Sequence, residues 1–225
     1  MSETLFDSLR DYRLCLNTLL SEQGLISKRK FILHPDFQDI DLEETNSYSN
    51  NIIVANKPGT KLFLYIYLVN NTNFLSKTHK TKFKNNIFDM NKYIKELYNL
   101  DEDINISVDL VVILTKKFKI NNQILEKKIT DKILLNNIQI FSYEYLLFNI
   151  CNHNYQPNSI RVITLKDEIK QICELKNISN KSLLAKISIN DPLSKFYGLK
   201  KGELFEFIRI SQNSGFYITY RLGII

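Results

Sequence analysis

Cysteine, histidine, glycine and proline are all scarce in this chain of 225 residues, at three, three, six and four. The cysteines (Cys15, Cys151 and Cys173) lie far apart, form no CxxC pair and make an odd total. That pattern argues against a disulfide framework and fits reduced thiols in an intracellular protein, with Cys15 and Cys173 as small hydrophobes on helix faces. His34, His79 and His153 are equally scattered, so no metal site can be read from spacing. There is no Gly-rich phosphate loop and no Ser–His or Cys–His arrangement for nucleophilic catalysis. The longest purely apolar run, "LFLYIYLV" (Leu62–Val69), is far short of a membrane span and reads as a buried strand. The opening "MSETLFDSLRDYR" carries acids early and lacks an apolar core, so no secretory signal is expected. Neither a cofactor, a membrane nor a small-molecule substrate is expected.

What is present is ordinary in bulk. With 44% hydrophobic and 24% charged residues, the composition is that of a globular protein with room for one large domain or two modest ones. The net charge of +6 permits a nucleic-acid partner without demanding one. Asn, Ile and Lys are abundant, as AT-rich coding would produce, so part of the lysine excess carries no functional weight.

The pattern along the chain predicts two domains. An amphipathic helix is expected from Leu5 to about Leu25, with Leu5, Leu9, Leu16 and Leu20 on one stripe and Gly24 as its stop. The acidic, aperiodic His34–Asn51 reads as a loop. Ile52–Val54 and Leu62–Val69 flank the turn "NKPGT", which predicts a hairpin. A helix follows on Phe83, Ile87, Met90, Ile94 and Leu97, then a strand over Ser107–Thr115. A further helix is expected over Ile124, Leu125, Ile129 and Ile133, and a strand over Ile138–Tyr143. Strands alternating with helices make residues 1–155 an α/β domain. The polar "NHNYQPNS" (Asn152–Ser159) is read as the linker, and 156–225 as a small α+β domain with a mixed sheet. Thr164 is expected to cap a helix buried through Leu165, Ile169, Ile172 and Cys173.

The most specified segment is Asp191–Leu222. Asp191-Pro192 opens a short helix, with Asp as cap and Pro at the first helical position, and Gly198 stops it. "LFEFIRI" and "FYITYRL" are strands joined through "SQNSG". The imperfect alternation of Leu204, Phe207 and Arg209 hints that something outside the domain covers one face. This segment resembles the assembly domain of the fifth subunit shared by eukaryotic nuclear RNA polymerases I, II and III, and of its short archaeal counterpart. The matching places are Lys186-Ile187, Asp191-Pro192, Tyr197-Gly198, Lys200-Lys201-Gly202, Ile208-Arg209, Ser211, Gly215 and Tyr217-Ile218-Thr219-Tyr220-Arg221. Departures are Ser159 where the family carries a second linker His, and Ala185 and Ile210 where it carries Pro. Thr115–Asn122 replaces its Thr-Pro-Ser-Ala stretch, and residues 32–83 resemble it only in layout. An amino-terminal domain of this size argues against the archaeal form, which is essentially the assembly domain alone. Its divergence, with the biased composition, suits a fast-evolving lineage such as a large DNA virus.

The resemblance implies a non-catalytic subunit that docks on the largest polymerase subunit and holds a jaw beside downstream DNA. It would then work in the nucleus, or for a virus in a cytoplasmic factory or the virion. Asp191, Pro192, Tyr197, Arg209, Tyr217, Thr219, Tyr220 and Arg221 are the candidate interface. The tyrosines offer apolar faces with a polar edge, and the arginines offer forked donors. The competing reading, of equal weight for any one residue, has the tyrosines in the domain's own core and the arginines solvated. Lys116, Lys117 and Lys119 are the candidate phosphate contacts on downstream duplex DNA, where backbone binding would tolerate any sequence. Lys77, Lys80, Lys82 and Lys84, within the acid-free stretch 45–88, read better as a solvated face. A nuclease site is disfavoured: Asp109 lies in a strand with no Glu-x-Lys partner, and a buried Asp capping a turn or pairing a Lys explains it better. A free-standing transcription adaptor built on the same assembly domain is the alternative, disfavoured by a two-domain layout with nothing added.

Overall fold

The computed structural model describes residues 9–38, 52–68, 90–114, 135–153, 155–213 and 215–225. The chain divides into two compact units, Met1–Phe148 and Asn149–Ile225. Each is built on its own mixed sheet, the first of five strands and the second of four.

In the first unit, helices α1 (Leu9–Leu20) and α2 (Leu25–Lys28) precede strands β1 (Ile32–Leu33), β2 (Ile52–Asn56) and β3 (Leu62–Leu68). Helix α3 (Met90–Leu97) and strands β4 (Ser107–Leu114) and β5 (Leu135–Ser142) follow. The strand order is β1-β2-β3-β4-β5. The first two pairings are antiparallel and the last two parallel. The "NKPGT" hairpin forms as the turn residues predict, with the Lys57 amide donating to the Leu62 carbonyl at 2.9 Å and the Thr60 amide to Lys57 at 3.2 Å. From Val108 to Leu114 every residue of β4 is buried, as a central strand flanked by parallel neighbours requires.

Two expectations for this unit need correcting. The buried stripe of α1 is Tyr12, Cys15, Leu16 and Leu19, one register away from the leucine-only stripe, with Leu20 half-buried. Gly24 does not stop that helix by turning left-handed; its φ is −79° and it stands at the N-cap of α2. Glycine is needed there because a Cβ would sit 2.8 Å from the carbonyl oxygens of Thr18, Leu19 and Ser21. Asp109 sits in a polar cluster inside the unit. It is buried, accepts a 2.7 Å hydrogen bond from Asn136 Nδ2, and lies close enough to the buried Arg29 guanidinium to favour its charge. Burial still lowers Arg29 to about 10, and the guanidinium also donates to Gln139 Oε1 and stacks 6.0 Å from the Phe141 ring. Of the helix expected over Phe83–Leu97, the part from Met90 is present. The helix expected over Ile124–Ile133 lies outside the described residues, as do Lys77–Lys84.

In the second unit come β6 (Ser159–Ile163), α4 (Lys166–Leu175), β7 (Ala185–Ser188), α5 (Pro192–Tyr197), β8 (Leu204–Ser211) and β9 (Gly215–Ile224). The order β6-β8-β9-β7 is antiparallel except for the β7–β9 pair, so the expected mixed sheet is present with two short strands that the sequence pattern had not revealed. One core joins α4 to the sheet through Ile163, Ile169, Ile172, Cys173, Leu184, Leu204 and Leu222. Thr164 does not cap α4. Leu165 holds the N-cap with no side-chain bond and is 67% exposed, and Asp167 and Glu168 in the first turn offset the helix dipole instead.

Candidate protein interface

The β8–β9 hairpin organises the second unit's surface, and its register decides what each residue can do. Leu204 pairs with Leu222, Glu206 with Tyr220, Ile208 with Ile218 and Ile210 with Phe216, so these share one face. Phe205 pairs with Arg221, Phe207 with Thr219 and Arg209 with Tyr217 on the other face. The run Tyr217–Arg221 is therefore split: Tyr217, Thr219 and Arg221 look one way, Ile218 and Tyr220 the other.

Burial changes along the hairpin. At its base, Leu204 and Phe205 are both fully buried, one against α4 and the other against Tyr197 of α5, edge-on with ring centres 5.7 Å apart. At its tip, Ile210, Phe216, Tyr217 and Ile218 are 67%, 70%, 57% and 41% exposed. Ile210, Phe216 and Ile218 stand side by side on one face by register, which concentrates apolar surface where single exposed residues would need no explanation. The tip is stitched to the chain before β6: the Ile210 amide donates to Asn158 Oδ1 at 2.9 Å, and Arg209 donates to the Tyr155 carbonyl at 3.3 Å.

The sequence-derived interface residues fall into four groups. Asp191 caps α5, its Oδ1 accepting from the Leu193 amide at 2.9 Å, with Pro192 at the first helical position and Gly198 left-handed at φ 70°. Tyr197 is buried and belongs to the unit's own core; Cys151 Sγ lies 3.5 Å from its hydroxyl, and burial pushes the phenol well above its usual range. Tyr220 is half-buried, donating to Glu206 Oε2 at 3.1 Å with Lys176 5.9 Å from its ring. Glu206 is held below the ordinary carboxylate range, chiefly by Arg161, whose Nε and Nη2 reach its two oxygens at 3.0 and 3.2 Å. Arg161 also donates to Glu168 Oε1 at 2.6 Å, tying β6 to α4. Tyr217, Thr219, Arg209 and Arg221 are left on one face, with the Arg221 guanidinium 5.7 Å from the Phe207 ring. Of the candidate interface, these four stand free of the core packing that holds Tyr197.

Residue-type reasoning missed Ile210, Phe216 and Ile218. Phe216 and Ile218 flank Tyr217 in an alternating strand pattern, so their common face was available as a signal; their exposure was not. Lys116, Lys117 and Lys119 lie outside the described residues. Among the described residues no three His, Cys, Asp or Glu side chains converge as metal ligands, and no helix is long and apolar enough to cross a membrane.

Fold and surface together define a small α+β module with an apolar projecting hairpin. The profile of the family described as "RNA polymerase Rpb5, C-terminal domain" matches residues 148–222, the stretch that forms this module. Over 97 residues the chain is 35% identical to a Dictyostelium discoideum protein named DNA-directed RNA polymerases I, II, and III subunit rpabc1, covering 43% of this chain and 44% of that one. It is 29% identical over 131 residues to the subunit RPABC1 of the same polymerases from Caenorhabditis elegans and Caenorhabditis briggsae, covering 58% of this chain and 59% of each relative. The matched stretches thus span about half the length of these curated relatives.

Proposed function

We propose that this chain is a non-catalytic structural subunit of a multisubunit DNA-directed RNA polymerase. It docks on the largest subunit through its carboxy-terminal module and places its amino-terminal domain beside downstream duplex DNA. The observation that carries this reading is the family match over 148–222, which spans the hairpin. The apolar tip gives the reading a physical basis. Exposed Ile210, Phe216 and Ile218 supply the hydrophobic centre of a contact, while Tyr217, Arg209 and Arg221 supply polar anchoring on the opposite face. Such a subunit works wherever its polymerase transcribes.

Tagged protein purified gently from its native source should bring down two very large polymerase subunits, identified by mass spectrometry. Recovery alone, or with unrelated partners, rejects the polymerase reading in favour of a free-standing adaptor. Tyr220→Ala with Arg221→Ala should leave the module folded and weaken that recovery; unchanged recovery removes these two residues from the interface. Replacing Lys116, Lys117 and Lys119 with Gln should flatten the salt dependence of DNA retention by the assembled enzyme, and an unmoved slope makes them ordinary surface.

A further inference from the structure

A second recognition feature lies at the other end of β8. A groove of about 490 Å³ runs between the first turns of α4, the segment Ser179–Lys181 and the turn Lys201–Glu203. That volume is within the range of about 300–1,000 Å³ usual for binding sites. Its wall on α4 is one helical stripe: Lys166, Ile169, Lys170 and Cys173 recur at i, i+3, i+4 and i+7. Ile169 and Cys173 are buried and make an apolar floor, and Lys181 and Lys201 close the rim from the facing loops.

The charge here is lopsided. The whole chain balances 30 Lys and Arg against 24 Asp and Glu, whereas this groove gathers four lysines and one carboxylate, Glu203. That carboxylate is engaged by its own turn, its Oε2 accepting from the Lys200 amide at 2.8 Å. Lys170 lies 3.8 Å from Glu174 in an exposed pair, which holds it weakly. Lys166, Lys181 and Lys201 make no ion pair with any described residue. Among the described residues no aromatic ring lines the groove, so they offer no platform for stacking bases. An apolar floor inside a cationic rim instead complements a peptide whose apolar side chain is flanked by carboxylates.

From this complementarity we infer that the groove is a docking site for an acidic linear segment of a partner protein, one apolar residue seated on Ile169 and Cys173 and its flanking carboxylates on Lys166, Lys181 and Lys201. The site is separate from the hairpin tip. The groove's Lys201–Glu203 turn precedes β8 and the tip follows it, so eight strand residues, roughly 25 Å, lie between them. Both can be occupied at once, and acidic-peptide docking here stands whether or not the chain serves a polymerase.

The test uses the full chain and a fluorescent peptide of glutamates around a central leucine, read by anisotropy at an ionic strength of about 0.1 M, where charges are screened beyond about 10 Å. Saturable binding is expected. The triple variant Lys166→Glu, Lys181→Glu, Lys201→Glu should weaken it at least tenfold (~1.4 kcal/mol) while thermal unfolding stays that of the parent, since all three side chains are exposed. Replacing the central leucine with serine should weaken it as well. No saturable binding, equal binding by the triple variant, or tighter binding of a single-stranded oligonucleotide with the same lysine dependence would each overturn the inference. Phe216→Ser with Ile218→Ser should leave peptide binding intact while reducing recovery with polymerase subunits, so failure of one reading is visible apart from failure of the other.

Discussion

The two sheets of this protein handle their hydrophobic residues differently. In the amino-terminal sheet, β3 and β4 are buried almost end to end, and of the buried polar groups Arg29 engages both Asp109 of β4 and Gln139 of β5. In the carboxy-terminal sheet, β9 is exposed from Gly215 to Ile218 and closes over a core only near Leu222. The first sheet commits its apolar surface to its own stability. The second holds part of its apolar surface back, at one end of one hairpin, and an uncovered patch of that kind on a well-packed base is what a binding element needs.

The contrast can be broken most forcefully at the two buried centres. Arg29→Ala removes the buried guanidinium that lies near Asp109 and donates to Gln139, and should destabilise the amino-terminal unit by about 3–5 kcal/mol. Phe205→Ala should remove about 3–5 kcal/mol from the carboxy-terminal unit through the cavity it leaves. Hydrogen exchange read segment by segment should show each loss confined to its own unit; a loss shared by both would end their treatment as separate units. Asp191→Ala removes the cap of α5 and should cost about 1 kcal/mol, seen as faster exchange in Pro192–Tyr197.

At the tip the expectation reverses. Phe216→Ser with Ile218→Ser should change stability by no more than about 0.5 kcal/mol, because neither side chain leaves a cavity, yet should diminish recovery with partners. A large stability loss would mean that the tip belongs to the core after all. The smallest effect concerns pH. Glu206 is depressed in the fold by Arg161 and then by Tyr220, so the folded state releases its proton more readily than the unfolded chain does. The stabilisation is present above the ordinary Glu value of about 4.3 and is lost as pH falls through the lower folded value. Glu206→Gln should therefore flatten the acid limb of the carboxy-terminal unit's stability curve; an unchanged limb would show that the Arg161 bridge is too well solvated to matter.

Much of this was legible in the chain itself, for reasons that individual residues show. "NKPGT" forced a hairpin because Pro and Gly fix the backbone locally, and Asp191-Pro192 with Gly198 framed α5 because caps act within one turn. Thr164 failed as a cap although its residue type was right, since pairing with β8 carries β6 to Ile163 and the helix begins only at Lys166, which leaves Leu165 at the N-cap. The short strands β6 and β7 were missed because each borrows its identity from a partner distant in sequence. The candidate interface mixed residues that look alike in sequence: Tyr197, Tyr217 and Tyr220 are one amino acid in three environments, core, surface and a carboxylate partner.

The sequence by itself determined the local turns, the frame of α5, the buried strands and the likeness of 148–222 to a known family, because each depends on residue order over short spans or on the pattern as a whole. Only the tertiary structure decided which hydrophobic residues remain exposed and which lysines meet. Exposure depends on what covers a side chain. The groove gathers Lys166, Lys181 and Lys201 from three segments that only the fold brings together.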